Sequence, residues 1–352
     1  MFVFERVKDS KVNIKVIGVG GGGCNALKHM VEKNIQVPTI AANTDAAVLQ
    51  KSLADYQLQL GPELTKGFGA GGDPKIGKKA AEESLEEIQR ILEKTDMVFI
   101  TAGMGGGTGT GAAPIIAEQA KRMGILTVSV VTTPFKFEGK TKMQIALEGI
   151  EQLSKHSHTI VVISNEKLKN VINEEVKITE AFQLVDEVIY NAVVSIIKII
   201  DEKAMVNVDF ADVKNILYKG GLALLGTGFS NGENAALEAA RMAVENPLLE
   251  ESSIKGSKGI LVYFKCRDNL EMVKFQEALT FIKQESGEMS DEEDYLKWGL
   301  NIDSELEHDV EIYIVAAKGK TTGLPLPGKG EKEVESLYEP PYLKKRRRFE
   351  KK

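Results

Sequence analysis

Apolar positions fall into two textures along this chain. In the first half, short continuous apolar runs alternate with segments of helical periodicity. Asn13–Gly20 (NIKVIGVG), Pro38–Thr44 (PTIAANT), Met97–Gly103 (MVFITAG), Gly124–Pro134 (GILTVSVVTTP) and His158–Ser164 (HTIVVIS) each read as a buried strand. A helix follows the first strand to about Lys33, and a long helix opens at Asp73, with Asp as N-cap and Pro74 at the first helical position. Strands apolar on both faces and separated by helices predict a parallel sheet covered on both sides. Ile178–Ile200 is apolar on most of its faces, which predicts a buried helix running between two domains. Beyond it come Gly220–Ser230, a helix around Glu233–Glu245, the strand Lys258–Lys265, a helix near Leu270–Gln284, and strands near Tyr295–Ile302 and Val310–Ala317. The predicted class is α/β: a parallel-sheet, Rossmann-like domain, a long central helix, a second smaller α/β domain and a flexible C-terminal tail rich in Gly, Pro and Lys.

Composition changes this picture little. The 352 residues, 43% hydrophobic and 27% charged, suit two ordinary globular domains rather than one core. No apolar run approaches the roughly 20 residues that span a bilayer. The opening MFVFERVKDSK lacks the apolar stretch and cleavage site of a signal peptide. Two cysteines, Cys24 and Cys266, make no disulfide framework and suit a reducing cytoplasm. The four histidines show no metal-site spacing, and His156 and His158, at the mouth of a strand, read as surface residues. Charge is uneven: residues 318–352 hold eleven Lys/Arg against five Asp/Glu, although the whole chain carries −6. An acidic body with a basic tail argues against nucleic-acid binding by the body.

The candidate chemistry lies in glycine loops. Gly18–Gly23 satisfies G-x-G-x-x-G between a strand and a helix, a loop whose backbone can approach a pyrophosphate. Alone it would suggest NAD, or a tight turn with no ligand. A second cluster, Gly103-Met104-Gly105-Gly106-Gly107-Thr108-Gly109-Thr110-Gly111, follows another strand and opens another helix. So many glycines are entropically expensive for mere turning. Their exposed amides form an anion nest, to which the two threonines add hydroxyls. A third loop, Gly67–Gly72, precedes the Asp73-capped helix. The first two loops, at the carboxyl ends of neighbouring parallel strands, face one crevice, and three loops suit a triphosphate better than a dinucleotide. The P-loop pattern is absent: GDPKIGKK (72–79), GLPLPGKG (323–330) and PFKFEGKT (134–141) each break it at a required position.

Six segments occur in order: GVGGGGCNA, AANTDAAVL, GFGAGGDPKIG, MVFITAGMGGGTGTGAAP, TTPFKFEG and NVDFADV. Together they resemble the tubulin/FtsZ GTPase family, and within it FtsZ, the bacterial cell-division branch, over roughly residues 11–317. The resemblance implies GTP and GDP as ligands, with Mg²⁺ bound alongside the nucleotide, and head-to-tail polymerisation. It implies nucleotide contacts from Gly21, Gly22, Gly23, Cys24 and Asn25, phosphate contacts from Gly107, Thr108 and Gly109, and a γ-phosphate sensor at Ala70, Gly71 and Gly72. Glu138 matches a ribose-contacting carboxylate. Lys142 stands where the family usually has Arg, keeping the charge but losing bidentate geometry. Guanine presents N1–H and N2–H₂ donors, so a carboxylate or amide oxygen reads it. Asp186 matches that reading position, with Asn25 and Asn165 as auxiliaries and Phe182 stacking on the base. The plainer reading makes Phe182 and Asp186 the core and solvent faces of a helix.

No hydrolytic carboxylate stands near the loops. In the family the segment matching Asn207–Val213 enters the neighbouring subunit's site, which makes Asn207, Asp209 and Asp212 the catalytic candidates. The plainer reading is a helix start capped by Asp209. Glu339–Lys352 (EPPYLKKRRRFEKK) resembles the terminal peptide that binds membrane-tethering division proteins such as FtsA, after a linker shorter than usual. A merely solubilising basic tail, or one touching anionic lipid, is the alternative. The implied organisation is an extension (1–10), a GTPase domain (11–177), the central helix (178–201), a C-terminal domain beginning with the catalytic loop (202–317), a linker (318–338) and a partner peptide (339–352). The implied location is the cytoplasmic division ring at mid-cell, on the inner face of the membrane. The rivals are an NAD-dependent oxidoreductase and a non-hydrolysing assembly scaffold, separable by NAD titration and GTP turnover.

Overall fold

The computed structural model describes residues 12–168, 177–200, 205–245, 254–287 and 295–319. The predicted N-terminal extension, the terminal peptide and all but the first two residues of the linker lie outside them. The strands are β1 (Ile14–Val19), β2 (Thr39–Asn43), β3 (Tyr56–Gln59), β4 (Met97–Gly103), β5 (Leu126–Thr133), β6 (Thr159–Ser164), β7 (Gly221–Ser230), β8 (Gly259–Cys266), β9 (Leu296–Ile302) and β10 (Val310–Ala317). The helices are α1 (Gly20–Glu32), α2 (Ala46–Gln50), α3 (Pro62–Thr65), α4 (Pro74–Glu83), α5 (Leu85–Leu92), α6 (Thr108–Arg122), α7 (Lys140–His156), α8 (Asn165–Leu168), α9 (Ile178–Ile200), α10 (Phe210–Tyr218), α11 (Ala235–Val244) and α12 (Met272–Glu285).

Among the described residues the strands form one sheet in the order β3-β2-β1-β4-β5-β6-β7-β10-β8-β9. It is parallel from β3 to β7, as the continuous apolar runs of the first half predict. β10 then runs antiparallel to both β7 and β8, and β9 parallel to β8. The two halves join where β6 pairs with β7, from Thr159↔Gly221 to Val161↔Ala223.

α9 crosses that junction. Its Val185, Ile189, Ala192, Val193, Ile196 and Ile199 recur at three- and four-residue spacing and are buried in one core with α1 and the sheet. It packs on α1 and β5 at one side and on β8 and β10 at the other. A second core lies under α11 and α12. The alanine face of α11 approaches β7 so closely that a Cβ on Gly226 or Gly228 would stand 2.0 Å from the carbonyl of Ala243 or Ala239.

Three sequence expectations change. β3 was not foreseen, because YQLQ is an edge strand with a single buried residue. The helix opened by Asp73 is correctly capped, with the Asp73 carboxylate accepting from the Lys75 amide at 2.8 Å. It ends at Ser84, however, whose hydroxyl accepts from the Gly61 amide, and α5 starts afresh. His158 is not a surface residue: it is buried, its Nδ1 accepts from the Thr127 amide at 3.0 Å, and its ring stacks on Tyr218 at 4.3 Å.

Candidate functional site

β1 and β4 are hydrogen-bonded neighbours, so the loops at their carboxyl ends lie side by side. Their backbones interlock: a Cβ on Gly20, which has φ +70, would stand 2.7 Å from the Gly109 amide nitrogen. The third loop closes on the second, since a Cβ on Gly107 would stand 2.9 Å from both the Ala70 Cβ and the Asp73 nitrogen. The three loops foreseen from the sequence therefore form one continuous surface. Its outer side is open. Nothing lies within 4 Å of the Cβ positions of Gly21, Gly71, Gly72 or Gly106.

The amides of Gly71, Gly72, Gly106, Gly107 and Thr108 donate to no acceptor among the described residues. Neither α1 nor α6 has an acidic residue in its first turn, so both helix N-termini present positive potential. Amide donors, open space and a positive field together make a cradle for a multiply charged anion.

Side chains around the cradle divide into those that can reach a ligand and those that hold the loops. Thr110, expected as a hydroxyl donor, is buried, and its Oγ1 accepts from the Gly105 amide at 2.8 Å. Thr108 Oγ1 lies 2.6 Å from Thr44 Oγ1, which ties the second glycine cluster, the GGGTGTG signature loop, to the end of β2. Thr44 was missed as a site residue, although its place after a strand next to β1 is a topological signal. The Cys24 side chain turns toward β2, within hydrogen-bond reach of Asn43 and Ala42. Burial pushes its thiol up to about 11, against smaller effects of those two contacts. Cys24 is thus a neutral packing atom, and only its backbone is left for a ligand.

Glu138 and Lys142 are paired: Glu138 Oε2 accepts from Lys142 Nζ at 2.5 Å, and Oε1 from the Phe135 amide at 2.9 Å. The Lys142 backbone also presses on the signature loop, 2.7 Å from where a Gly105 Cβ would be.

At the carboxyl ends of β5 and β6, Thr133 pairs with Ser164, and Asn165 follows. Thr133 Oγ1 and Asn165 Oδ1 are buried with no hydrogen-bond partner among the described residues. An orphaned buried polar atom costs about 1–3 kcal/mol, which a ligand's donors would relieve. Asn25 is exposed on α1. Phe182 is exposed and meets buried Phe135 edge-on, with centroids 5.5 Å apart. One turn on, Asp186 is half-buried. Burial pushes its carboxyl up to about 6, with His29 acting in the opposite direction. Behind it, Glu187 accepts from both His29 of α1 and Lys33 just past the end of that helix, a link with no sequence signal because the partners are so far apart in the chain.

Asn207, Asp209 and Asp212 are not brought to this cradle. They follow the far end of α9, whose 23 residues span roughly 34 Å at about 1.5 Å each. The C-terminal end of α10 meets His158 at the opening of β6, the opposite edge of the sheet from the glycine loops. Asn207 and Asp209 are exposed around buried Val208. Asp209 occupies the N-cap position of α10, as the plainer reading expects, and its carbonyl accepts from the Asp212 and Val213 amides, but its side chain makes no capping hydrogen bond.

Mg²⁺ has no protein-only site here: the described residues hold no cluster of three His, Cys, Asp or Glu suited to a metal. The cradle's donors are amides, so a cation would fit only as one carried by the phosphates. No described helix is long and apolar enough to cross a membrane.

Comparison with known proteins covers nearly the whole described chain. The model of the Tubulin/FtsZ family GTPase domain matches residues 13–173, and that of the FtsZ family C-terminal domain matches residues 221–320. The cell division protein FtsZ of Coxiella burnetii is 44% identical over 332 residues, covering 93% of this chain and 85% of that protein. That of Pseudomonas aeruginosa is 47% identical over 304 residues, covering 86% and 76%. Among solved structures, an empty FtsZ dimer from M. jannaschii superposes with a TM-score of 0.81 at 40% identity, covering 90% of this chain and 96% of that one.

Proposed function

Because this chain belongs to the tubulin/FtsZ family, as a member of its FtsZ branch of polymerising cell-division GTPases, we propose that it hydrolyses GTP only where two copies meet head to tail. The observation that carries this reading is the separation just described. An amide-lined anion cradle sits at one edge of the sheet, and the exposed Asp209 and half-buried Asp212 follow the far end of a helix of about 34 Å. One chain cannot bring both to the same phosphate, but a second copy stacked on the first can. Such a contact is heterologous and does not close, so it propagates into filaments. Exposed apolar residues at both ends support it: Phe68 is 88% exposed beside the glycine loops, and Met205 68% exposed beside Asn207.

In this reading the amides around Gly21–Gly23, Ala70–Gly72 and Gly107–Gly109 hold the triphosphate, and Glu138 with Lys142 flanks the ribose. Asp186 accepts from the guanine donors, Asn165 and Asn25 assist, and Phe182 offers its open face to the base. Asp209 and Asp212, with Asn207, come from the neighbouring copy, where Asp212 polarises the attacking water. Phosphoryl transfer needs little else from a protein than positioning and charge stabilisation. Mg²⁺ carried by the nucleotide would neutralise phosphate charge. Residues 339–352 bind a membrane-tethering division protein of the FtsA kind, which brings the filament to the inner face of the membrane at mid-cell.

The test is GTP turnover per subunit against protein concentration, with light scattering read in parallel. Turnover should rise steeply at an assembly threshold. Turnover independent of concentration, well below any assembly, would place the whole catalytic apparatus in one chain and overturn the reading.

A further inference from the structure

β9 lies at the edge of the sheet, paired to β8 along its inner side. Its outer side holds the segment that carries Asn207 and Asp209. The Val206 amide donates to the Leu300 carbonyl at 3.0 Å, and the Leu300 amide to the Val206 carbonyl at 2.9 Å. Gly299 lets the segment lie close, since a Cβ there would stand 3.1 Å from the Val206 oxygen and 3.8 Å from a Val208 methyl. Strand alternation then sorts the side chains of β9. Leu296, Trp298 and Leu300 pack into the core under α11 and α12. Lys297 and Gly299 take the other face, in register with Leu261 and Tyr263, which share their core with Val213 and Leu217 of α10. A partly buried lysine on that face is a departure from an apolar position. Its Nζ reaches to 3.5 Å from Asp212 Oδ1.

We propose that Lys297 is a positioning residue for hydrolysis: held by the strand that pins the catalytic segment, its ammonium aims the Asp212 carboxylate and offsets that carboxylate's repulsion from the neighbouring copy's triphosphate. The inference rests on the reading of Asp212 as the group delivered to the next subunit. A carboxylate moved toward phosphate oxygens meets like charge, and an adjacent cation lowers that cost. In an isolated chain the pair is partly exposed and worth little. Assembly covers it and removes water, which strengthens the interaction. The effect of Lys297 therefore falls on turnover within filaments, not on nucleotide binding by single subunits.

The experiment uses the full chain with Lys297→Met, Lys297→Arg and Asp212→Ala. Two quantities are read: GTP affinity below the assembly threshold, and turnover per sedimented subunit above it. Lys297→Met keeps the length of the stem without the charge. It should bind GTP as the wild type does and lose about threefold to tenfold in turnover, the scale of a mispositioned group. Lys297→Arg should recover most of that loss. Wild-type turnover in Lys297→Met filaments overturns the proposal, and so does a Lys297→Arg variant no better than Lys297→Met. If Lys297→Met does not assemble alone, an equal mixture with wild type serves. Turnover per assembled subunit then falls toward about half if Lys297 acts as proposed and stays whole if it does not. Asp212→Ala separates the two readings, because undiminished turnover in its filaments would remove the role of Asp212 itself.

Discussion

His29 Nε2 and Glu187 Oε2 lie 2.8 Å apart, joining the helix that carries the first glycine loop to the helix that carries Asp186. Lys33 Nζ reaches the same oxygen at 2.6 Å and stands 4.9 Å from the centre of the Tyr190 ring. Burial pushes the Glu187 carboxyl up, but the hydrogen bonds from Lys33 and His29 outweigh it and hold the group below its ordinary value. A depressed carboxyl adds stability above the unfolded value, about pH 4.3, and loses it as pH falls through the folded one. Glu187→Ala should cost about 1 kcal/mol at pH 7, the low end for charge-assisted bonds at a partly exposed site. Urea unfolding at pH 7 and below pH 4 checks this. The difference between variant and wild type should shrink in acid, and an equal difference at both would refute the linkage.

Asp186 has the opposite sign. Its carboxyl, pushed up to about 6 by burial, costs the folded chain stability as pH rises from the unfolded value, about 3.9, through 6. Guanine's donors favour the ionised carboxylate, so GTP affinity should climb over the same window. Only about a tenth of the carboxyl is ionised at pH 5, so affinity there should be about tenfold weaker than at pH 7.5. Asp186→Asn should flatten the dependence, because an amide oxygen accepts at every pH. Asp186→Ala should erase a preference for GTP over ATP that is at least about tenfold in the wild type. Titration with fluorescent nucleotide analogues from pH 5 to 7.5 measures both. A flat wild-type profile would separate Asp186 from the base.

Gly77 and Gly106 make a contrasting pair. A Cβ on Gly77 would stand 2.3 Å from the Gly107 carbonyl oxygen, backbone that has nowhere to go, whereas a Cβ on Gly106 meets nothing within 4 Å. Gly77→Ala should destabilise the fold by about 1–3 kcal/mol through overpacking of α4 on the signature loop. Gly106→Ala should change stability by less than about 0.5 kcal/mol yet weaken GTP binding, because its methyl enters the cradle. Thermal melts and GTP titrations of the two variants read this directly. Wild-type affinity in Gly106→Ala would mean that the open side of that loop does not face the nucleotide.

Asp212→Ala leaves every phosphate loop intact, so it should bind GTP with near-normal affinity while its turnover falls by orders of magnitude. Doped into wild-type filaments, it should suppress turnover at the junctions it enters. A partner defective at Gly107–Gly109 but retaining Asp212 should restore part of that loss. If such mixtures only average the activities of their separate components, catalysis is not shared between chains.

The sequence by itself determined most of the scaffold, because the relevant physics is local or periodic. Doubly apolar runs such as Met97–Gly103 can only be central strands, and the 3.6-residue recurrence from Val185 to Ile199 can only be a buried helix. The three glycine loops were legible because a chain places so many costly residues together only for close backbone approach. The cap of Asp73 was legible too, since capping involves neighbours in the chain. Tertiary structure decided what depends on partners far apart in sequence. The edge strand β3, the break at Ser84 and the burial of His158 each turn on a contact with a distant segment, which no local pattern encodes. The same holds for side chains within the motifs. Thr108 and Thr110 look equivalent in GGGTGTG, yet one faces Thr44 and the other is spent on the Gly105 amide. The meeting of Lys297 with Asp212, and of His29 with Glu187, exists only once the sheet has brought β9 beside α10 and packed α1 against α9. Local free energy selects elements, whereas charge pairs and orphaned polar atoms are set by which elements the fold makes neighbours.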